Sequence, residues 1–168
     1  DLLTDATGRP QIVFNEGIPG DESGDLENRI ASILERHPGA NRVLMMIGTN
    51  DSDGNAATLA AYQGHISNIA TAIVNNGKDL WIAYPLPTYS DSPPTTLDGT
   101  RNGNIEDFIT DINTVVAGNS NISVGPNFYD SEFRIDNNPA VAAYFYDNLH
   151  PNDAGYEVMA VEWADILP

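Results

Sequence analysis

The sequence predicts an α/β fold in which a mainly parallel sheet is covered by helices on both faces. Short apolar runs alternate along the chain with segments whose apolar residues recur every three or four positions. Residues 43–47 are apolar at every position, as in a parallel strand that is buried on both faces. A chain of 168 residues suits one domain, so we predict a single domain over residues 1–168.

Four strands are predicted, at residues 11–14, 42–47, 80–84 and 121–124. The predicted helices cover residues 25–36, 59–73, 105–116 and 151–167. We expect Ser23 and Asp25 to cap the first helix and Pro151 to lie in the first turn of the last. Residues 1–3 resemble the end of a further helix, and residues 85–103 are predicted to form a long functional loop.

Composition excludes several classes of function. The chain has 24 acidic and 7 basic residues and a net charge of −17, so we expect no nucleic-acid partner. It has no cysteine, and its three histidines are too scattered for a zinc site. We therefore expect no cofactor and no metal, although a surface calcium site near Asp51 stays open. No apolar run is long enough to span a membrane. The acidic balance suits a secreted or periplasmic protein.

Three polar clusters lie where an α/β sheet usually places its functional residues, at strand ends or helix starts. They occupy residues 15–23, 48–51 and 147–151. The first is rich in glycine, which lets backbone amides approach a ligand closely. Outside these clusters, His65 lies off the apolar face of the helix predicted at residues 59–73, and we expect its side chain to face solvent.

Each cluster admits a chemical and a structural interpretation. Asp147 precedes His150 by three residues, so its carboxylate can accept the Nδ1–H of the imidazole and hold the ring. The side-chain amide of Asn50 can donate to a developing oxyanion. Alternatively, Asp147 caps a helix beside a structural histidine, Asn50 stabilises a tight turn, and the first cluster is a glycine turn before a helix.

Taken together, the clusters resemble the sequence blocks of the SGNH (GDSL) hydrolase family. The motif Gly-x-Asn-Asp matches residues 48–51, Asp-x-x-His-Pro matches residues 147–151, and Gly20 matches the glycine of the second block. The resemblance implies a three-layer α/β/α sandwich that hydrolyses esters or thioesters. It also implies that His150 is the general base, that Asp147 orients it, and that Gly20 and Asn50 form the oxyanion hole.

One block of that family has no match. The block with the nucleophilic serine should precede the second block, but none of residues 1–19 is a serine. We therefore expect the domain to be truncated at its N-terminus, without its first strand. The nucleophile would then lie upstream of Asp1, on a separate N-terminal segment of the same protein, and this chain alone would be inactive.

The sequence thus predicts a serine ester hydrolase that acts on small-molecule or carbohydrate esters through an acyl-enzyme. The alternative is a carbohydrate-binding module on a degenerate scaffold of the same family. Several aromatic side chains are expected either to line the acyl pocket or to belong to the core, namely Trp81, Tyr84, Tyr89, Phe145 and Tyr146.

Overall fold

The computed structural model describes residues 12–167, which form two compact units. The first, here called the sheet unit, comprises Glu16–Pro85 and Gly103–Gly125. The second, here called the histidine unit, comprises residues 12–15, 86–102 and 126–167. Within the described residues, no helix has both the length and the apolar character needed to cross a membrane.

A three-stranded sheet runs in the order β1 (Arg42–Met45), β2 (Asp79–Tyr84), β3 (Ile122–Asn127). Strands β1 and β2 are parallel, with Arg42 opposite Asp79 at the start of the register. Each strand is joined to the next by a helical crossover, which parallel pairing requires. The predicted α/β class with a parallel sheet is confirmed.

Four helices accompany the sheet: α1 (Ser23–Arg36), α2 (Ala56–Asn75), α3 (Gly99–Ala117) and α4 (Asp153–Ile166). Two short 3-10 segments, Asp51–Asp53 and Val141–Tyr144, lie in the loops before α2 and α4. The long helix α2 is N-capped by Asn55, whose side chain accepts the backbone N–H groups of two residues in the first turn.

The core of the sheet unit is aliphatic, with one stacked aromatic pair. Tyr62 and Phe108 stack with ring centroids 3.9 Å apart, which joins α2 to α3. The other fully buried aliphatic side chains come from β2 and from the same two helices, and they include Ile66, Ile69, Ile73, Leu80, Ile82, Ile105 and Ile112. Their recurrence at three and four positions along α2 is the pattern that predicted this helix.

Lys78, the only lysine of the chain, is buried at the start of β2, where it is 4% exposed. Its ammonium group donates to the carbonyl oxygens of His37, Pro38 and Ala40, at 3.1, 3.4 and 2.5 Å. These carbonyls belong to the turn that follows α1, so the buried ammonium group is satisfied by backbone acceptors of that turn.

The predicted strand at residues 11–14 is wrong over its described part. Ile12, Val13 and Phe14 form no regular structure and are 87%, 54% and 52% exposed. An apolar run becomes a strand only where a neighbouring strand completes its hydrogen bonds, and the three described strands pair with one another. Gln11 and the helix end predicted at residues 1–3 lie outside the described residues.

All four predicted helix starts are also displaced, that of α2 from residue 59 to Ala56. Helix α1 begins at Ser23, with Glu22 as N-cap, and the carboxylate of Asp25 accepts the backbone N–H of Glu22 at 3.0 Å. Helix α3 begins at Gly99, inside the predicted long loop, because Asp98 accepts the first free backbone N–H groups. In α4, Asn152 is the cap and Pro151 precedes it.

The histidine unit is built around aromatic side chains. Phe133 makes edge-to-face contacts with Phe128, Tyr144 and Phe145, with ring centroids 5.9 to 6.0 Å apart. Gly155, in the first turn of α4, packs so closely that a Cβ there would lie 2.4 Å from the carbonyl oxygen of Tyr144. This contact holds α4 against the segment that precedes residues 147–150, here called the histidine turn.

We expect Gly155→Ala to destabilise the protein by about 1–3 kcal/mol, because the added methyl group meets a backbone oxygen that cannot move alone. The matched control is Gly64→Ala in α2, where a Cβ meets no atom within 4 Å. That substitution should stabilise the protein by about 0.5–1 kcal/mol, since alanine favours helix. Urea unfolding measures both, and equal effects of the two substitutions would contradict the packing described.

Candidate active site

Asp147 and His150 form a hydrogen-bonded pair on the turn before α4. Oδ2 of Asp147 lies 2.8 Å from Nδ1 of His150, and Oδ1 accepts the backbone N–H groups of Leu149 and His150, both at 2.7 Å. One carboxylate therefore shapes the turn and orients the ring. Because Nδ1 faces the carboxylate, Nε2 is the ring nitrogen available to exchange a proton with a reaction partner.

The pair is open to solvent, with 43% of the Asp147 side chain and 68% of the His150 side chain exposed. The backbone N–H of His150 is the main cause that holds the pKa of Asp147 below its ordinary value of 3.8. Partial burial opposes this effect, while the imidazole and the N–H of Leu149 add to it. Asp147 is therefore ionised at neutral pH and can stabilise an imidazolium.

Asn148 holds the histidine turn to the loop after β2. The backbone N–H of Tyr89 donates to the carbonyl oxygen of Asn148 at 3.1 Å, and the side-chain amide of Asn148 donates back to Tyr89 at 2.9 Å. The Tyr89 hydroxyl in turn donates to the carbonyl oxygen of Phe133 at 2.5 Å. Burial raises the pKa of Tyr89 to about 12, so this hydroxyl remains a donor.

The aromatic residues expected near the site divide between core and surface. Tyr89 and Phe145 are buried and meet edge-to-face, with centroids 5.6 Å apart, so they belong to the core of the histidine unit. Tyr146 is 69% exposed, and its backbone N–H donates to the carbonyl oxygen of His150 at 2.8 Å. Of these three rings, Tyr146 alone has most of its surface available to a ligand.

Gly20 occupies a tight turn that immediately precedes α1. The backbone N–H of Asp21 donates to the carbonyl oxygen of Ile18 at 3.2 Å, and Gly20 has a φ of +88°. Proline at the second position and a left-handed glycine at the third are the pattern of a type II turn. A side chain at position 20 would strain this backbone, even though no atom lies within 4 Å of the Cβ position.

The side chain of Asn50 reaches this turn from the loop after β1. Its Nδ2 atom donates to the carbonyl oxygen of Asp21 at 2.9 Å, one residue from Gly20. The second hydrogen of the amide remains for another acceptor. Arg29 of α1 fixes Asp21 from the other side, with Nε and Nη2 at 2.8 and 2.6 Å from Oδ2 of Asp21.

Gly48 allows the chain to leave β1 beside a buried tyrosine. Its φ is +124°, and a Cβ at this position would lie 3.0 Å from the hydroxyl oxygen of Tyr62. That hydroxyl donates to the carbonyl oxygen of Ile47 at 2.9 Å, and burial strongly raises the pKa of Tyr62. The glycine of the Gly-x-Asn-Asp motif is thus required by both backbone angle and space.

The sequence did not reveal a second set of contacts beside Asn50. The backbone N–H of Ser23 lies 3.0 Å from both carboxylate oxygens of Asp51, and its hydroxyl also donates to that carboxylate. Nδ1 of His65 lies 2.9 Å from the same hydroxyl. The prediction that Ser23 caps a helix is therefore wrong, and His65, which was expected to face solvent, is partly buried with 28% of its side chain exposed. No local signal links residues that lie 28 and 42 positions apart.

The structure brings the predicted site residues together in two pairs, each within its own unit. Asp147 and His150 meet in the histidine unit, and Gly20 and Asn50 meet in the sheet unit. Over residues 12–167, no group of three or more histidine or acidic side chains is arranged to hold a metal ion. The carboxylate of Asp51, considered above for calcium, is occupied by Ser23.

Comparison with known proteins identifies the class of enzyme. The sequence profile of the GDSL-like lipase/acylhydrolase family matches residues 1–158, which is most of the chain. The chain therefore belongs to this family of hydrolases, as its sequence motifs predicted. A search of curated proteins finds none that matches.

Solved structures agree with the fold. The lipase/acylhydrolase of Enterococcus faecalis is 20% identical, with a TM-score of 0.73 over 97% of this chain and 83% of that one. A catalytic mutant of an acetylxylan esterase from Geobacillus stearothermophilus is 18% identical, with a TM-score of 0.74 over 98% of this chain and 76% of that one. At these identities the likeness establishes the fold, which is the α/β class with a parallel sheet that the sequence predicted.

The Asp147–His150 pair predicts a titration that NMR can follow. In the wild type, the Asp147 carboxyl carbon should titrate below 3.8, and His150→Ala should raise this pKa only part of the way, because the backbone N–H groups remain. Because folding lowers the pKa of Asp147, the pair stabilises the folded protein at pH values above the ordinary pKa of 3.8. That stabilisation is lost as the pH falls through the folded pKa. His37→Ala should leave the Asp147 titration unchanged. A wild-type pKa at or above 3.8 would contradict the geometry.

Proposed function

We propose that the protein hydrolyses carboxylic esters through a serine-linked acyl-enzyme. The serine oxygen attacks the ester carbonyl carbon while His150 Nε2 takes the serine proton, and the same nitrogen then delivers that proton to the leaving alcohol. Water repeats the sequence in the second half-reaction, releasing the acid and regenerating the serine. Asp147 keeps the imidazole oriented and stabilises its charged form.

The observation that carries this proposal is the 2.8 Å contact between Asp147 Oδ2 and His150 Nδ1. A structural histidine would be expected to have its ring packed and its nitrogens satisfied inside the protein. Here the ring is fixed through one nitrogen while 68% of its side chain is exposed. This combination suits a general base, which must be held firmly and must still reach a substrate.

Gly20 and Asn50 are the proposed oxyanion donors. The type II turn leaves Gly20 exposed and without a side chain, so its backbone N–H is accessible to a carbonyl oxygen. Asn50 uses one amide hydrogen on Asp21 and has a second to donate. Two donors held in place before the reaction stabilise negative charge that develops on a substrate oxygen.

We further propose that the nucleophile is a serine upstream of Asp1, on an N-terminal segment of the same protein. Two serines near Asn50 are poor candidates, because Ser23 is 0% and Ser52 is 1% exposed. The hydroxyl of Ser52 donates to the carbonyl oxygen of Thr49 at 2.6 Å.

Acetyl esters, including acetylated carbohydrates, are the first substrates to test, given the fold shared with an acetylxylan esterase. The net charge of −17 supports a secreted or periplasmic location.

In the full-length protein, Asn50→Ala should lower kcat for an acetyl ester by about 100- to 1,000-fold with little change in KM, the usual effect of losing one oxyanion donor. His150→Ala should lower kcat further, because the nucleophile then has no base. His37→Ala is the matched control and should retain wild-type rates, since the ring of His37 contacts Glu16 and belongs to neither proposed pair of site residues. Near-normal turnover without His150 would exclude the mechanism.

An organophosphorus serine reagent locates the nucleophile. Peptide mapping of the labelled full-length protein should find the phosphoryl group on a serine upstream of Asp1, and the 168-residue chain alone should remain unlabelled and inactive. Labelling within these residues would contradict the proposed position. A protein that binds carbohydrate, takes no label and hydrolyses no ester would be the binding module considered above.

A further inference from the structure

Ser23 and Asp51 form a buried contact between the two segments that carry Gly20 and Asn50. Both residues are 0% exposed. The carboxylate of Asp51 accepts the backbone N–H of Ser23 at 3.0 Å on each oxygen, and it also accepts the Ser23 hydroxyl. A buried carboxylate is costly unless it is hydrogen-bonded, so this contact is made wherever the two segments are folded.

His65 of α2 also contacts Ser23, and its presence determines which group donates in each hydrogen bond. A carboxylate can only accept, so the Ser23 hydroxyl gives its hydrogen to Asp51 and is left to accept from Nδ1–H of His65, at 2.9 Å. Gly24 makes room for the ring, since a Cβ there would lie 3.2 Å from Cε1 of His65. The result is a donor chain from the imidazole through the serine to the carboxylate.

The outer side of His65 faces a more exposed pair. Nε2 lies 3.7 Å from Oε2 of Glu27, whose other oxygen accepts the side-chain amide of Asn68 at 2.8 Å. The His65 and Glu27 side chains are 28% and 31% exposed. The ring thus connects the surface of α2 with the interior contact at Asp51.

The contact of serine with histidine does not make a second catalytic site. Ser23 is fully buried, and its hydrogen is directed at Asp51 rather than at the imidazole. A nucleophilic serine needs access to a substrate and a base that accepts its proton. The hydrogen-bonded residues His65, Ser23 and Asp51 meet neither requirement. They can therefore affect catalysis only by fixing the position of the segments to which they belong.

These residues adjoin both proposed oxyanion donors. Asp51 follows Asn50 directly, and Ser23 lies three positions after Gly20. The same two segments are also joined by the hydrogen bond from Asn50 to the carbonyl oxygen of Asp21. Two neighbouring contacts restrain rotation about either one, which fixes the direction of the Asn50 amide relative to the turn.

We propose that His65, acting through Ser23 and Asp51, is a positioning residue for the oxyanion-binding amide of Asn50. This inference rests on the proposed esterase function. By donating to the Ser23 oxygen, His65 keeps the Ser23 hydroxyl directed at Asp51. The loop that starts at Asn50 is thereby held in a fixed position relative to the Gly20 turn. Loss of the ring leaves that hydroxyl free to rotate and loosens the loop without touching the substrate.

The first test is steady-state kinetics of the full-length protein. His65→Leu should lower kcat about 3- to 10-fold, the effect expected from one lost hydrogen bond, with KM within about twofold of wild type. His65→Asn, which retains an N–H donor near the position of Nδ1, should restore most of the loss. The matched control is Asn68→Ala, which removes only the surface contact to Glu27 and should leave kcat and KM unchanged.

A double-mutant cycle shows whether His65 acts through Asn50. In an Asn50→Ala background, His65→Leu should have almost no further effect on kcat, because the amide that it positions is gone. Independent losses that multiply would overturn the proposal, as would failure of His65→Asn to restore the rate. Thermal unfolding of every variant separates a loss of folded protein from a loss of rate.

An activity-independent measurement distinguishes this inference from the proposed function. The side-chain amide resonances of Asn50 should shift in His65→Leu, return toward wild type in His65→Asn, and stay unchanged in Asn68→Ala. Unchanged Asn50 resonances in His65→Leu would refute the positioning role even if esterase activity is present. A wild-type rate in Asn50→Ala would instead refute the proposed oxyanion assignment.

Discussion

The buried carboxylate of Asp51 is the interaction on which the arrangement of the sheet unit around Asn50 depends. It faces donors from Ser23 and lies in a region closed to water, where each lost hydrogen bond leaves an unsatisfied polar group at a cost of about 1–3 kcal/mol. Separation of the loop after β1 from the start of α1 is therefore unfavourable. Gly20 lies three residues before Ser23, and Asn50 directly precedes Asp51. The contact between Ser23 and Asp51 therefore also restrains the Gly20 turn and the Asn50 amide.

The two carboxylates of the predicted blocks have opposite surroundings, and the difference follows from what each one holds. Asp51 is buried and binds a serine that never meets substrate. Asp147 is 43% exposed and binds a histidine whose ring must stay accessible. An exposed pair is weakened by water, so Asp147 is supported by two backbone N–H groups of its own turn. Donors from the same turn thus hold the exposed Asp147, whereas donors from Ser23, 28 positions away, hold the buried Asp51.

The sequence predicted those parts of the structure that depend on local patterns. The pairing of Asp147 with His150 spans three residues, and the helix over Ala56–Asn75 shows its apolar face directly. The strand expected at residues 11–14 depends on neighbours that an apolar run cannot specify. Ser23 has the residue type of a helix cap, but its partners lie 28 and 42 positions away, so only the folded chain shows its role.

The contacts of Lys78 have a practical consequence for anyone who modifies this protein chemically. No other side chain carries a primary amine, and this one is enclosed by three carbonyl oxygens. Amine-directed acylating reagents and proteases that cut after lysine therefore meet their side-chain target only when the turn after α1 opens. The rate of such modification reports the opening of that one turn, which makes Lys78 a built-in probe of local unfolding.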